Sequence, residues 1–129
     1  MVIDASAICA IVFDEPERGA IASLMAASSR TLMSPIQLWE AAVSISRRTG
    51  CDGMAEVALI REQFGIDIAS LAEPETQLAF EAWRRFGKGQ HPFKLNLGDC
   101  FAYGLAKSRD LPLLYKGEDF AMTDVRPAI

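Results

Sequence analysis

Five carboxylates sit where this sequence is otherwise apolar. Asp4 is the only charge in the first thirteen residues. Glu40 lies inside Ile36-Gln37-Leu38-Trp39-Glu40-Ala41-Ala42-Val43, with apolar Ile36 and Val43 one helical turn to either side. Asp99 opens the uncharged run Cys100 to Ala106, and Asp119 and Asp124 follow in Lys116-Gly117-Glu118-Asp119-Phe120 and Thr123-Asp124. A carboxylate taken out of water is costly unless it is paired, hydrogen-bonded or bound to a cation. Acids that converge with few bases beside them suit a shared cation, and oxygen-only ligands with open positions suit Mg²⁺ or Mn²⁺. The chemistry served by such a site at a strand-end cleft is phosphoryl transfer or phosphodiester hydrolysis. Each acid also has an ordinary reading: a helix cap for Asp4, a helix-dipole partner for Asp99, a surface ion pair with Arg47 or Arg48 for Glu40, and a turn for Asp119.

The elements that would position these acids alternate along the chain. Val2-Ile3 reads as a short buried strand ending at Asp4. Ser6 then caps a helix from Ala7 to Phe13, broken at Asp14-Glu15-Pro16. A second helix runs from Glu17 to Ala27, and Thr31-Leu32-Met33 is a second strand. Ser34 and Pro35 start a helix that reaches Thr49 and stops at Gly50. Asp52 caps a helix that ends at Gly65, and Ile66-Asp67-Ile68 is a third strand. Glu73 to Phe86 is helical, Gly87 to Asn96 is a loop, and Asn96 caps a helix from Leu97 to about Ser108. Leu111 to Tyr115 is a fourth strand, followed by a turn of helix around Asp119 to Met122 and an extended stretch over Val125 to Ile129. Short apolar strands between helices imply crossover connections, hence an α/β fold with a mostly parallel sheet covered on both faces. Sites in such sheets form beyond the carboxyl ends of the strands.

Length and composition narrow the class. The 129 residues, half of them hydrophobic, fit one domain over residues 1–129. A net charge of −4 argues against a dominant phosphate-binding surface without excluding a nucleic-acid enzyme, since an acidic metal site itself lowers the net charge. The longest charge-free run, Gly19 to Ser29, is too short for a membrane helix, and the N-terminus does not read as a signal peptide. Cys9, Cys51 and Cys100 are isolated and read as buried free thiols of a reducing cytoplasm. With His91 as the only histidine, a Cys/His zinc site is excluded.

Four segments together carry a family resemblance: Val2-Ile3-Asp4-Ala5-Ser6-Ala7, Leu38-Trp39-Glu40-Ala41, Leu97-Gly98-Asp99-Cys100-Phe101-Ala102-Tyr103, and Lys116-Gly117-Glu118-Asp119-Phe120 with Thr123-Asp124. In order and spacing, over nearly the whole chain, they resemble a PIN domain of the VapC toxin-ribonuclease type. The resemblance implies a three-layer α/β/α sandwich with four to five short strands, and an acidic pocket that binds Mg²⁺ or Mn²⁺ to hydrolyse RNA, with transfer RNA and ribosomal RNA both open as targets. It implies Asp4 and Asp99 as metal ligands, Glu40 as the third acid and Asp119 as the fourth. Many PIN domains carry an Asp in a Thr-x-Asp segment after the fourth strand. That position falls on Gly117 here, which leaves the fourth role to Asp119 or Asp124. Ser6 resembles the hydroxyl residue near the first Asp. The resemblance further implies a homodimer and a small VapB-type antitoxin whose tail covers the pocket, often with an Arg.

Arg84, Arg85, Lys88, His91 and Lys94, with Lys107, Arg109 and Lys116 further on, either guide RNA phosphates or are ordinary surface charge. Trp39 and Trp83 read as core or antitoxin-facing residues rather than base-stacking platforms. The helices from Ala7 to Ala27 serve either as a dimer or antitoxin surface or as packing on the sheet. The competing functions are a receiver-like Mg²⁺-binding phospho-acceptor, a non-catalytic module on the same fold, and a phosphatase. The first needs paired acids on the first strand and an acceptor Asp on a middle strand.

Overall fold

The computed structural model describes residues 1–129. Four strands and six helices follow one another as β1 (Val2–Ile3), α1 (Ala5–Val12), α2 (Arg18–Ala27), β2 (Thr31–Met33), α3 (Pro35–Thr49), α4 (Gly53–Phe64), β3 (Ile66–Ile68), α5 (Glu73–Phe86), α6 (Leu97–Arg109) and β4 (Leu113–Leu114). The sheet is entirely parallel, in the order β3-β2-β1-β4. Val2 lies opposite both Leu32 and Leu113, and Ile3 opposite Leu114.

The strands are only two or three residues long, yet their alternation separates two cores. Val2, Leu32 and Leu113 point into one, built with α5 and α6. Ile3, Met33 and Leu114 point into the other, built with α1 to α4. This is the period-two geometry of a strand buried on both faces, and it gives the expected three-layer sandwich. The Ala- and Ile-rich side of α1 packs on the sheet through Ala7, Ile8, Ala10 and Ile11.

Caps set most helix boundaries where the sequence places them. Ser34 Oγ accepts from the Ile36 and Gln37 amides, Pro35 begins α3, and Gly50 ends it with φ +73°. Asp52 caps α4 and Gly65 closes it with φ +62°. The start of α1 differs. Asp4, not Ser6, is the cap, accepting from the Ser6 amide at 3.0 Å, so the helix begins directly at the strand end. β4 is also shorter than expected. Pro112 has no N–H and serves only as acceptor for the Val2 amide, while the Lys116 amide leaves the ladder to bond Ser6 Oγ. The helical turn expected over Asp119 to Met122 is instead a pair of successive turns, closed by Ala121 N–H to Glu118 O and Thr123 N–H to Phe120 O. The extended tail lies beside β4, with Leu113 bridged to Pro127.

The thiols depart from expectation too. Cys100 is buried, Cys9 half-buried and Cys51 exposed on the α3–α4 turn, where it serves no core. No helix is long and apolar enough to cross a membrane.

Candidate functional site

The strand order reverses between β1 and β4, because the chain leaves β1 toward β2 and returns to β1's other side only with β4. Such a switch point opens a crevice at the carboxyl ends of the two strands. Asp4 ends β1 at that crevice, and Asp119 follows β4. A cavity of about 380 Å³ there is lined by Asp4, Ser6, Glu40, Asp99 and Asp119, with Asn96, Lys116 and Arg47 among its polar rim. Thus residues 4, 40, 99 and 119 face one space.

Local backbone chemistry holds each acid. Asp4 is 4% exposed, and its Oδ2 accepts both the amide and the hydroxyl of Ser6, the latter at 2.5 Å. Ser6 Oγ in turn accepts from the Lys116 amide at 2.9 Å, which ties the end of β1 to the end of β4. Ser6 therefore orients Asp4 rather than capping α1. Asp99 is 8% exposed and sits in a reciprocal cap. Its Oδ2 accepts from the Asn96 amide, while Asn96 Oδ1 accepts from the Asp99 amide, both at 2.9 Å. Glu40 reaches over from α3, and an ideal Cβ on Gly98 would lie 2.1 Å from its carboxylate oxygens. Only a glycine leaves room for that carboxylate against α6.

The electrostatics are those of uncompensated negative charge. None of Asp4, Glu40, Asp99 and Asp119 is in an ion pair. Burial pushes the Asp4 carboxyl up, against the pull of the Ser6 bonds. Burial and then Asp4 raise Glu40. Asp99 is pushed up to about 7, first by burial and then by repulsion from Asp4, Asp119 and Glu40, with the Asn96 amide opposing. A cation held by Asp4, Glu40 and Asp99 would oppose these three upward shifts.

The donor set fits a hard divalent ion. Asp4 and Asp99 take their Ser6 and Asn96 bonds, respectively, on Oδ2, and both residues line the cavity. No three His, Cys, Asp or Glu side chains stand close enough together to cage an ion on their own. Mg²⁺ keeps several waters and is held through one or two carboxylates plus substrate phosphates. Soft ligation is disfavoured, because burial pushes the Cys9 and Cys100 thiols up to about 11.

Other sequence candidates separate from the cavity. Asp124 does not line it; its carboxylate accepts from Tyr103 Oη at 2.7 Å and pairs with Lys107 at 3.2 Å and Arg85 at 3.5 Å. Arg109 is held by Glu75, and Lys116 Nζ by Glu15. Arg84, Lys88, His91 and Lys94 have no acidic partner and are exposed. Trp39 and Trp83 are not core residues: they are 62% and 45% exposed. Trp39 borders the acid cavity, and Trp83 stacks on Phe80 at 5.6 Å. Trp83 and Phe80 line a separate apolar groove of about 510 Å³ with Leu95, Leu97 and Phe101. β2 ends on Met33 and β3 on Ile68, so neither offers an acceptor aspartate at its carboxyl end. Arg47 was legible only as an ion-pair partner for Glu40. It sits unpaired on the cavity rim, two turns after Glu40, a spacing that puts both on one side of α3.

Comparison with known proteins bears on this arrangement. Residues 1–125 match the PIN domain family. VapC ribonuclease Mb0640 of Mycobacterium bovis is 41% identical over 125 residues, covering 97% of this chain and 95% of its own. Among solved structures, Mycobacterium tuberculosis VapC20, a sarcin-ricin loop cleaving toxin, superposes with a TM-score of 0.78 at 17% identity, with 98% of each chain covered. VapBC2 from Rickettsia felis, bound to a DNA fragment from its promoter, gives a TM-score of 0.72 at 15% identity over 98% of this chain and 96% of its own. At these identities the two structures speak to the fold.

Proposed function

The chain belongs to the PIN-domain family, among its VapC ribonucleases, and from that premise we propose that it is an endoribonuclease that hydrolyses RNA phosphodiester bonds at the cavity of Asp4, Glu40, Asp99 and Asp119. The observation that carries this reading is the gathering of four acids, none of them in an ion pair, at the β1–β4 switch point. VapC ribonucleases are generally divalent-metal dependent, and we assign Mg²⁺ or Mn²⁺ to this site. Asp4 and Asp99 would hold the ion, with Glu40 and Asp119 completing the acidic wall. A divalent cation there supplies Lewis acidity at the phosphate and a nucleophile from water at neutral pH. The Ser6 hydroxyl and the Asn96 amide keep the two inner aspartates aimed, and Arg47 on the rim meets a phosphate oxygen that approaches them.

In this reading residues 1–129 are one domain and the toxin half of a toxin–antitoxin pair acting in the cytoplasm, on transfer or ribosomal RNA. The silencing partner is a VapB-type antitoxin, in keeping with the VapBC pairing of the structural neighbours. A guanidinium from such a partner would neutralise the acids in place of the metal. A homodimer is supported by α5. Its exposed stripe Glu73, Gln77, Phe80 and Arg84 runs from acid to base, so an antiparallel two-fold copy would set Glu73 against the second copy's Arg84 around the two Phe80 rings.

The test is cleavage of end-labelled total RNA by the purified protein with Mg²⁺, Mn²⁺ or EDTA, alongside Asp99→Asn. Divalent-dependent cutting that falls about a hundredfold or more in Asp99→Asn is expected, beyond the usual range for an outer-shell change. Equal cutting by both proteins would refute the assignment of the site.

A further inference from the structure

Glu40 and Asp99 belong to helices that pack on opposite faces of the sheet, α3 with one core and α6 with the other. Something must fix the two helices against each other where the acids meet. Gln37, one turn before Glu40 on the same side of α3, is completely buried. Its Nε2 donates to the Gly98 carbonyl at 2.7 Å, a bond between residues 61 apart in sequence. Its Oε1 accepts from Ser34 Oγ, the hydroxyl that caps α3 by accepting from the Ile36 and Gln37 amides.

This link grips the peptide that joins Gly98 to Asp99. Glu40 covers Gly98 at its α-carbon, so Gln37 and Glu40 hold the first turn of α6 from two sides. A buried amide in a core of Ala, Ile and Met adds little packing that a methionine would not supply. What the amide alone adds is a donor aimed at one carbonyl. Both polar atoms of Gln37 are satisfied, and its only long-range bond goes to the residue that precedes Asp99.

We propose that Gln37 is a positioning residue: through Ser34 on one side and the Gly98 carbonyl on the other, it locks α6 to α3 and sets how the Glu40 and Asp99 carboxylates present themselves to a divalent cation. The inference rests on the hydrolase reading above for its consequence in RNA cleavage, but not for its consequence in metal binding.

The experiment compares the full chain with Gln37→Met, Ser34→Ala and Ser34→Thr. Gln37→Met conserves volume and removes the donor. Ser34→Ala frees the Gln37 amide, and Ser34→Thr keeps the hydroxyl. Mn²⁺ affinity is measured without RNA by electron paramagnetic resonance, RNA cleavage is resolved into kcat and KM, and thermal unfolding is followed by circular dichroism. Gln37→Met should bind Mn²⁺ about tenfold more weakly and lose kcat by a similar factor with KM nearly unchanged, as outer-shell changes do. Ser34→Ala should move the same two quantities by less, and Ser34→Thr should restore them. Unchanged Mn²⁺ affinity and kcat in a folded Gln37→Met protein would overturn the proposal, whatever happens to its melting temperature. Should Gln37→Met fail to fold, the Ser34 pair decides: equal Mn²⁺ affinity in Ser34→Ala and Ser34→Thr overturns it. A parent protein that binds Mn²⁺ but cuts no RNA would refute the hydrolase reading alone, and one that binds no Mn²⁺ would overturn both.

Discussion

Glu75 and Asp99 occupy the same place in consecutive helices. Each is the third residue of its helix, each returns a side-chain bond to the amide three residues before it, and each is buried, at 4% and 8% exposure. Their electrostatics are opposite. Glu75 is held below the usual carboxylate range by the Ala72 amide, with Arg109 at 2.7 Å adding to it. Asp99 has no cation and three acidic neighbours, and it is pushed up to about 7. A bond from the third helical residue back to the cap amide is therefore neutral as to function. What separates a structural acid from one open to an external cation is whether the fold supplies the positive charge.

That contrast can be tested from both sides. The largest expected effect is on stability against pH. Asp99 has a folded pKa above its unfolded value, so the folded state keeps its proton longer and stability falls as pH rises from about 4 to about 7, by a few kcal/mol at most. Glu75, whose pKa is lowered, contributes stability above its unfolded value that is lost on acidification. In metal-free buffer, Asp99→Asn should therefore gain stability over the parent between pH 5 and pH 8 in denaturant titrations, with the gap growing toward about pH 7. A constant gap would show that Asp99 is not destabilised by its surroundings.

Next in size, Arg109→Ala leaves Glu75 buried without its cation. Melting should report a loss of about 2 kcal/mol, below the full cost of a buried pair because Arg109 is 30% exposed, while cleavage per folded molecule stays unchanged. Gly98→Ala should show the reverse pattern. The new Cβ meets only the tip of Glu40, which can swing away, and alanine favours the helix by about 0.5–1 kcal/mol. The protein should melt no lower than the parent yet cleave RNA about tenfold more slowly, the scale of an outer-shell disturbance. The smallest effect belongs to Asp124→Asn. Its partners are partly exposed, and a change of under about 1 kcal/mol in stability with cleavage near the parent rate is expected.

The parts of this molecule legible in its sequence are those decided within a few residues. Ser34-Pro35 with Gly50, and Asp52 with Gly65, bound their helices because a cap and a left-handed stop are local chemistry. The acids stood out because a charge in an apolar run needs a reason. Ser6 does not cap α1 because the helix starts at Ala5, directly after the strand, where Asp4 accepts from the Ser6 amide and the Ser6 hydroxyl turns back to Asp4. Of the two readings of Trp39 and Trp83, core or antitoxin-facing, their exposure removes only the first, because helical spacing shows that a face exists and not whether anything covers it. The separation of Asp119 from Asp124 rests on Tyr103 and Lys107, and the Gln37 link on Gly98, all partners too far along the chain for spacing to reveal.

The two cores lie on opposite faces of a sheet whose strands are two or three residues long. The acid cavity lies over that seam, with its carboxylates drawn from both sides. A slip of one layer by a fraction of an ångström thus changes a functional distance while leaving each core intact.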